Sequence, residues 1–212
     1  MTATPQTPPP ASKRPRRTPA PEERKIDAER SRRLLLEAAK DEFSAKGFAG
    51  ARVQDIADRA GLNKQLINYY FGGKEGLYEE IGRQWLAEEA TFNDPALPLE
   101  DVVAAYLRHS LADPRGLRLS VWDALTGGTA QEGAPEDPSD VSDVSDVRRR
   151  QAAGELADDL DPAAMLLLFM GAVAAPIVMP HVVRRAFGVE PDSPEFHERY
   201  AEQLRRVIRH LA

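Results

Sequence analysis

Residues 52–74, RVQDIADRAGLNKQLINYYFGGK, constrain this chain more than any other segment, because they fit two short helices crossing at a tight turn. The natural reading puts helices at 53–60 and 64–70, joined by Gly61, Leu62 and Asn63. Two helices that cross steeply need a small residue where they touch, and Ala57 stands there. The turn needs a residue at ease with positive φ, and Gly61 stands there. Val53, Ile56, Ala60, Leu62, Ile67 and Tyr70 fall on the sides that face one another, and Asn63 is placed to cap the second helix. The pattern is that of a helix-turn-helix.

The second helix of the pair has two chemically distinct faces. At about 100° per residue, Leu66, Ile67 and Tyr70 gather on one side, and Lys64, Gln65, Asn68 and Tyr69 on the other. The outer set suits a major groove. Gln and Asn amides pair with adenine N6 and N7, Lys reaches guanine acceptors or phosphate, and Tyr offers a hydroxyl and an apolar edge to a thymine methyl. The charge distribution agrees with one basic face. Residues 1–74 hold 15 basic and 9 acidic side chains, net +6, and residues 75–212 hold 13 and 25, net −12. An acidic protein with a basic front end meets a polyanion with that end alone.

The remainder reads as all-α, with no convincing strand alternation. Residues 1–24 carry seven of the 17 prolines and the cluster Lys13, Arg14, Arg16, Arg17, and are expected to be a disordered tail. A helix is expected from Ile26, with Leu35, Ala39 and Phe43 at four-residue spacing, ending at Gly47. A linking helix is expected over 74–90. Asp113-Pro114, Asp161-Pro162 and Ser193-Pro194 each place a cap before a proline at a helix start. Helices are accordingly expected near 99–112, 114–126, 144–159, 162–187 and 194–211. Residues 127–147, rich in Gly, Pro and acids with a thrice-repeated Ser-Asp-Val, are expected to be a mobile loop.

The segment from Glu29 to Tyr78 resembles the N-terminal domain of TetR-type repressors. The resemblance rests on Phe43, Gly47 and Phe48, then Ile56, Ala57, Ala60 and Gly61, then Tyr70, Phe71, Lys74, Glu75 and Leu77. It implies a three-helix DNA-binding domain over 25–78, a linking helix to about 90, and a larger helical effector-binding and dimerisation domain over 91–212. It further implies that Gln54, Lys64, Gln65, Asn68 and Tyr69 approach bases or nearby backbone, with Tyr70 and Lys74 on phosphates. Arg52 and Asn63 complete the candidate DNA set. Two positions depart from the family habit: Arg52 stands where Thr or Ser is common, and it cannot cap a helix. Asn68 stands where Tyr is common, so no relative's operator carries over.

The same resemblance implies a homodimer on double-stranded operator DNA and release by a small-molecule effector. The long apolar run at 163–175 must be covered on all sides, either inside the monomer or, as the resemblance implies, in a four-helix bundle of the last two helices with those of a second subunit. Candidate interface residues are Leu167, Met170, Val173, Ile177, Phe196, Leu204 and Ile208. Candidate effector-pocket residues are Trp85, Phe92, Tyr106, His109, Trp122, Phe169 and Met170.

Other function classes find little support. The chain has no cysteine, which removes disulfides, thiolate metal sites and cysteine nucleophiles. No metal site, cofactor or enzymatic constellation is expected. The glycines at 72, 73 and 76 follow no strand and make no nucleotide loop. No apolar run is long enough to span a bilayer and the start of the chain is not apolar, so a cytoplasmic location without membrane attachment is expected. The competing class is a dimeric helical interaction module that reads no DNA sequence.

Overall fold

The computed structural model describes the backbone of residues 21–126 and 142–212, and side chains from Ile26 to Thr126 and from Val144 onward. Ten helices occur among them, with no strand. They are α1 (Pro21–Gly50), α2 (Val53–Ala60), α3 (Gln65–Phe71), α4 (Lys74–Glu89), α5 (Leu99–Ala112), α6 (Arg115–Thr126), α7 (Ser142–Ala152), α8 (Pro162–Val178), α9 (Pro180–Phe187) and α10 (Pro194–Arg209). The expected tail to residue 20 and the loop at 127–141 lie outside the described residues.

Four boundaries differ from expectation, each for a local reason. Helix α1 begins at Pro21 rather than Ile26, since the fixed φ of proline suits a first helical turn, so 21–24 are helical. The last Ser-Asp-Val copies form the first turns of α7 instead of a loop. Helix α7 stops at Ala152, not near 159, as the chain folds back and Gln151 Nε2 donates to the carbonyls of Ala157 (2.9 Å) and Leu160 (2.7 Å). The helix expected over 162–187 divides at Met179, with α8 and α9 bent by 86°. Pro180 has no N–H to continue the ladder and crowds the preceding turn, so it opens a new helix. No single helix among the described residues is long and apolar enough to cross a membrane.

Two cores organise the chain. The first gathers Leu35, Ala39 and Phe43 of α1, Ile56 and Ala57 of α2, Ile67 of α3, and Leu77 and Ile81 of α4. The second, in the body, packs Val103, Ala104 and Leu107 of α5 with Val147, Phe169, Val173, Ala201 and Ile208. Buried Arg150 ties α7 to this body, donating to Asp146 (2.8 Å), Glu155 (3.0 Å) and the Leu97 carbonyl (2.9 Å).

Helix α6 belongs to both halves. Leu119 is buried in the head's core, although its helix lies in the body's stretch of sequence. Four residues earlier, Arg115 donates to Asp41 (2.8 Å) and Glu37 (2.9 Å) of α1 while also holding Asp113. That hydrogen bonding holds the Asp113 carboxyl below its ordinary value, against an opposing desolvation. Three residues beyond Leu119, Trp122 lies against Gly47, where α1 breaks at φ 69°, ψ 171°. Residues 115, 119 and 122 share one helix face, and that face is fastened to α1.

Candidate nucleic-acid interface

The helix pair forms as its residues dictate. Ile56 and Ala57 are fully buried at the crossing. Gly61 takes the left-handed conformation (φ 66°) that ends α2, its N–H donating to Asp58 O at 3.1 Å. A Cβ there would meet nothing within 4 Å, so conformation alone selects glycine. Asn63 Oδ1 accepts from the Gln65 N–H at 2.9 Å and satisfies one of the open amides of α3. Arg52 supplies no such cap to α2.

Helix α3 then divides as its periodicity requires. Ile67 is fully buried, and Leu66, Tyr70 and Phe71 pack partly against the head's core. Lys64, Gln65, Asn68 and Tyr69 are exposed, Tyr69 by 79%. Tyr70 turns its ring inward, half-buried between Tyr69 and Phe71 at 5.0 and 6.3 Å.

The flanking candidates sit around this face. Arg52 and Gln54 are exposed, and the Gln54 amide donates to Asp58 at 2.7 Å. Lys74, at the first position of α4, is half-buried with its ammonium 4.5 Å over the Phe48 ring. Gly73 before it provides no side-chain cap for the first amides of α4. An outward surface of two amides, a phenol and cations, locked from behind by aliphatic groups, has the chemistry for reading base edges between two phosphate contacts.

The expected effector residues do not form one group. Trp85, Phe92, Tyr106 and His109 do converge, where the end of α4 meets α5. His109 stacks on Phe92 (5.0 Å) and meets Trp85 edge-on (5.1 Å), and Phe92 meets Tyr106 at 5.0 Å. Two carboxylates border the rings: Tyr106 donates to Glu89, and His109 Nε2 lies 3.4 Å from Glu88. Trp122 stands apart on Gly47, Phe169 lies in the body core, and Met170 is exposed.

The expected dimer seam also divides. Val173, Ile177, Phe196 and Ile208 are buried within the single chain, and Leu204 packs against the same body core. They are core rather than surface for a partner, because α8 turns one side to α5 and α7 while α10 packs on α5. Its other side stays open: Leu167 is 70% and Met170 58% exposed, with Leu168, Val178 and Met179 also out. Sequence reasoning passed over Arg115 and Leu119, since nothing local marks a body residue whose partners lie more than seventy positions back.

A helical head that turns such a face outward, carried on a separate helical body, defines a helix-turn-helix DNA-binding regulator. The comparisons with known proteins agree. Residues 35–81 match the family described as bacterial regulatory proteins, tetR family, and residues 99–210 match the Tetracyclin repressor-like, C-terminal domain. The HTH-type transcriptional repressor SCO4008 of Streptomyces coelicolor is 31% identical over 166 residues, 76% of this chain and 86% of that protein. The HTH-type transcriptional regulator RutR of Escherichia coli is 36% identical over 103 residues, about half of each chain. Among solved structures, the putative transcriptional regulator SCO4942 from Streptomyces coelicolor has a TM-score of 0.65 at 28% identity, covering 85% of this chain and 97% of its own. A gamma-butyrolactone receptor (TM-score 0.55, 18% identity, 87% of this chain and 100% of its own) shares the fold. The chain belongs to the TetR family of bacterial transcriptional regulators.

Proposed function

We propose that the chain is a cytoplasmic repressor that binds a palindromic operator as a homodimer and is released by a small-molecule effector. The observation that carries the DNA side of this reading is the outward placement of Lys64, Gln65, Asn68 and Tyr69 on a helix anchored by buried Ile67. Gln65 and Asn68 are assigned to base edges, with Tyr69, Lys64 and Gln54 beside them. Arg52, Lys74, the Tyr70 hydroxyl and the open amides of α4 are assigned to phosphates. One short helix reads only a few base pairs, so useful specificity calls for two heads related by a two-fold axis. The open apolar side of α8, Leu167 and Met170 with Val178, supports a second copy of the same helix as its cover.

For release, the support is the course of α4. It starts in the head at Lys74 and ends at Glu89, within the cluster of Trp85, Phe92, Tyr106 and His109. A ligand that parts those rings moves the far end of the helix that positions Lys74. The test is fluorescence anisotropy with the duplex around the chain's own gene, at several salt concentrations. Operator binding predicts a steep linear loss of log affinity with log salt. Salt-independent or absent binding favours the interaction module.

A further inference from the structure

We infer that Arg32, on α1 and outside the base-reading surface, is a positioning residue that sets the angle at which α3 enters the groove. Its single guanidinium joins three helices. Nη1 donates to the Tyr70 carbonyl at 3.1 Å, the plane lies 4.8 Å over the Phe71 ring, and Nη2 meets Glu80 Oε1 at 3.3 Å. Glu80, on α4, is 16% exposed at its side chain and is braced further by Arg83 at 2.7 Å. The Tyr70 carbonyl belongs to the last turn of α3, where carbonyls lack partners within the helix and a cation opposes the helix dipole.

The grip matters because of the size of α3. Seven residues cannot hold a helix or its direction unaided, so tertiary attachments set both. Ile67 pins the middle, Leu66, Tyr70 and Phe71 are only partly buried beside it, and Arg32 holds the C-terminal end against tilting. With Ile67 as the pivot, the tip of the Gln65 side chain lies roughly 7 Å away (about 3 Å along the axis and about 6 Å out from it), so a tilt of about 10° moves it by roughly 1 Å. A displacement of that size breaks a bidentate amide–adenine pair, while phosphate contacts made by long flexible cations follow it. Arg32 therefore governs discrimination among sequences more than attraction to DNA. This role rests on the DNA reading above.

The test uses the full chain with two probes: the duplex the unaltered chain selects from a random pool, and a mixed-sequence duplex of equal length. Arg32→Gln is expected to weaken the selected duplex about tenfold or more and the mixed duplex less than about twofold, with the salt slope kept. Arg32→Lys is expected to restore little, because a point charge cannot bridge Tyr70 O and Glu80 while lying on Phe71. Glu80→Gln is expected to lower the same ratio by a few-fold, and to add nothing in the double variant. Equal losses on both probes would overturn the role, whether they came from a lost phosphate contact (slope smaller by about 0.9) or from unfolding. Full rescue by lysine, or additive Arg32 and Glu80 effects, would overturn it too. An unaltered chain that selects no duplex would overturn the DNA reading itself.

Discussion

Replacing Gly47 by alanine tests how head and body are joined. Gly47 sits at φ 69°, ψ 171°, a region that essentially only glycine occupies, and holding another residue there costs about 2–3 kcal/mol. An added Cβ would lie 3.4 Å from Trp122 Cγ and Cδ2, the near edge of ordinary contact, so crowding adds little. Alanine also removes about 0.4–1 kcal/mol of unfolded-state freedom, which offsets part of the loss. The net expectation is a destabilisation of about 1–2.6 kcal/mol. Urea unfolding followed by tryptophan fluorescence measures it, with Trp122 reporting from beside the substitution. The matched control is Gly82→Ala, inside α4, where nothing lies within 4 Å of the new methyl. That change should stabilise by about 0.5–1 kcal/mol through helix propensity. If Gly47→Ala proved as stable as Gly82→Ala, the strained break in α1 would be wrong.

Four other outcomes follow from the same geometry. Gln65→Ala or Asn68→Ala should cost about 1–3 kcal/mol on the selected duplex and broaden the sequences recovered from a random pool; an unchanged pool would remove them from base contact. Lys74→Ala should weaken binding to all duplexes alike and flatten the salt slope by about one, and a change in preference alone would contradict the phosphate assignment. Arg115→Ala should remove a clasp that keeps Asp113 ionised. Since that carboxyl's folded pKa is depressed, its contribution is present above the ordinary carboxylate value and lost as pH falls through the folded one. The variant should therefore lose stability at neutral pH and show a shallower acid limb, read by urea midpoints from pH 7 to 3. Leu167→Asp should shift the proposed dimer to monomer in sedimentation, because it places a charge on the open side of α8. A dimer unchanged in affinity would move the interface elsewhere.

What the residues disclosed in advance divides along the range of the interactions involved. The helix pair at 53–71 was legible because its constraints are local: a small residue at a crossing, a glycine at positive φ, a cap two residues before an amide. The proline-led starts of α8 and α10 were legible for the same reason, and both Asp161 and Ser193 accept the expected backbone bonds. The division of the long apolar segment was missed because Pro176 and Pro180 look alike in sequence, yet Pro176 lies within α8 and Pro180 starts a new helix. Hydropathy could not separate the buried side of α8, Val173 and Ile177, from its open side, Leu167 and Met170. Both are apolar, and only the placement of α5 and α7 distinguishes them. Nothing near Arg115 in sequence points to Glu37 and Asp41, and nothing near Arg32 points to Glu80. The aromatic cluster was partly legible, as Trp85, Phe92, Tyr106 and His109 meet while Trp122 and Phe169 lie elsewhere.

Hydrogen exchange of the full chain, with and without the duplex it selects, tests the reading of α3 most directly. The account predicts that DNA slows exchange in peptides spanning 52–74 and the first turn of α4, leaving the buried core of α5 and α10 unchanged. Protection confined to the body, with the peptides over 64–71 exchanging as in the free chain, would contradict it.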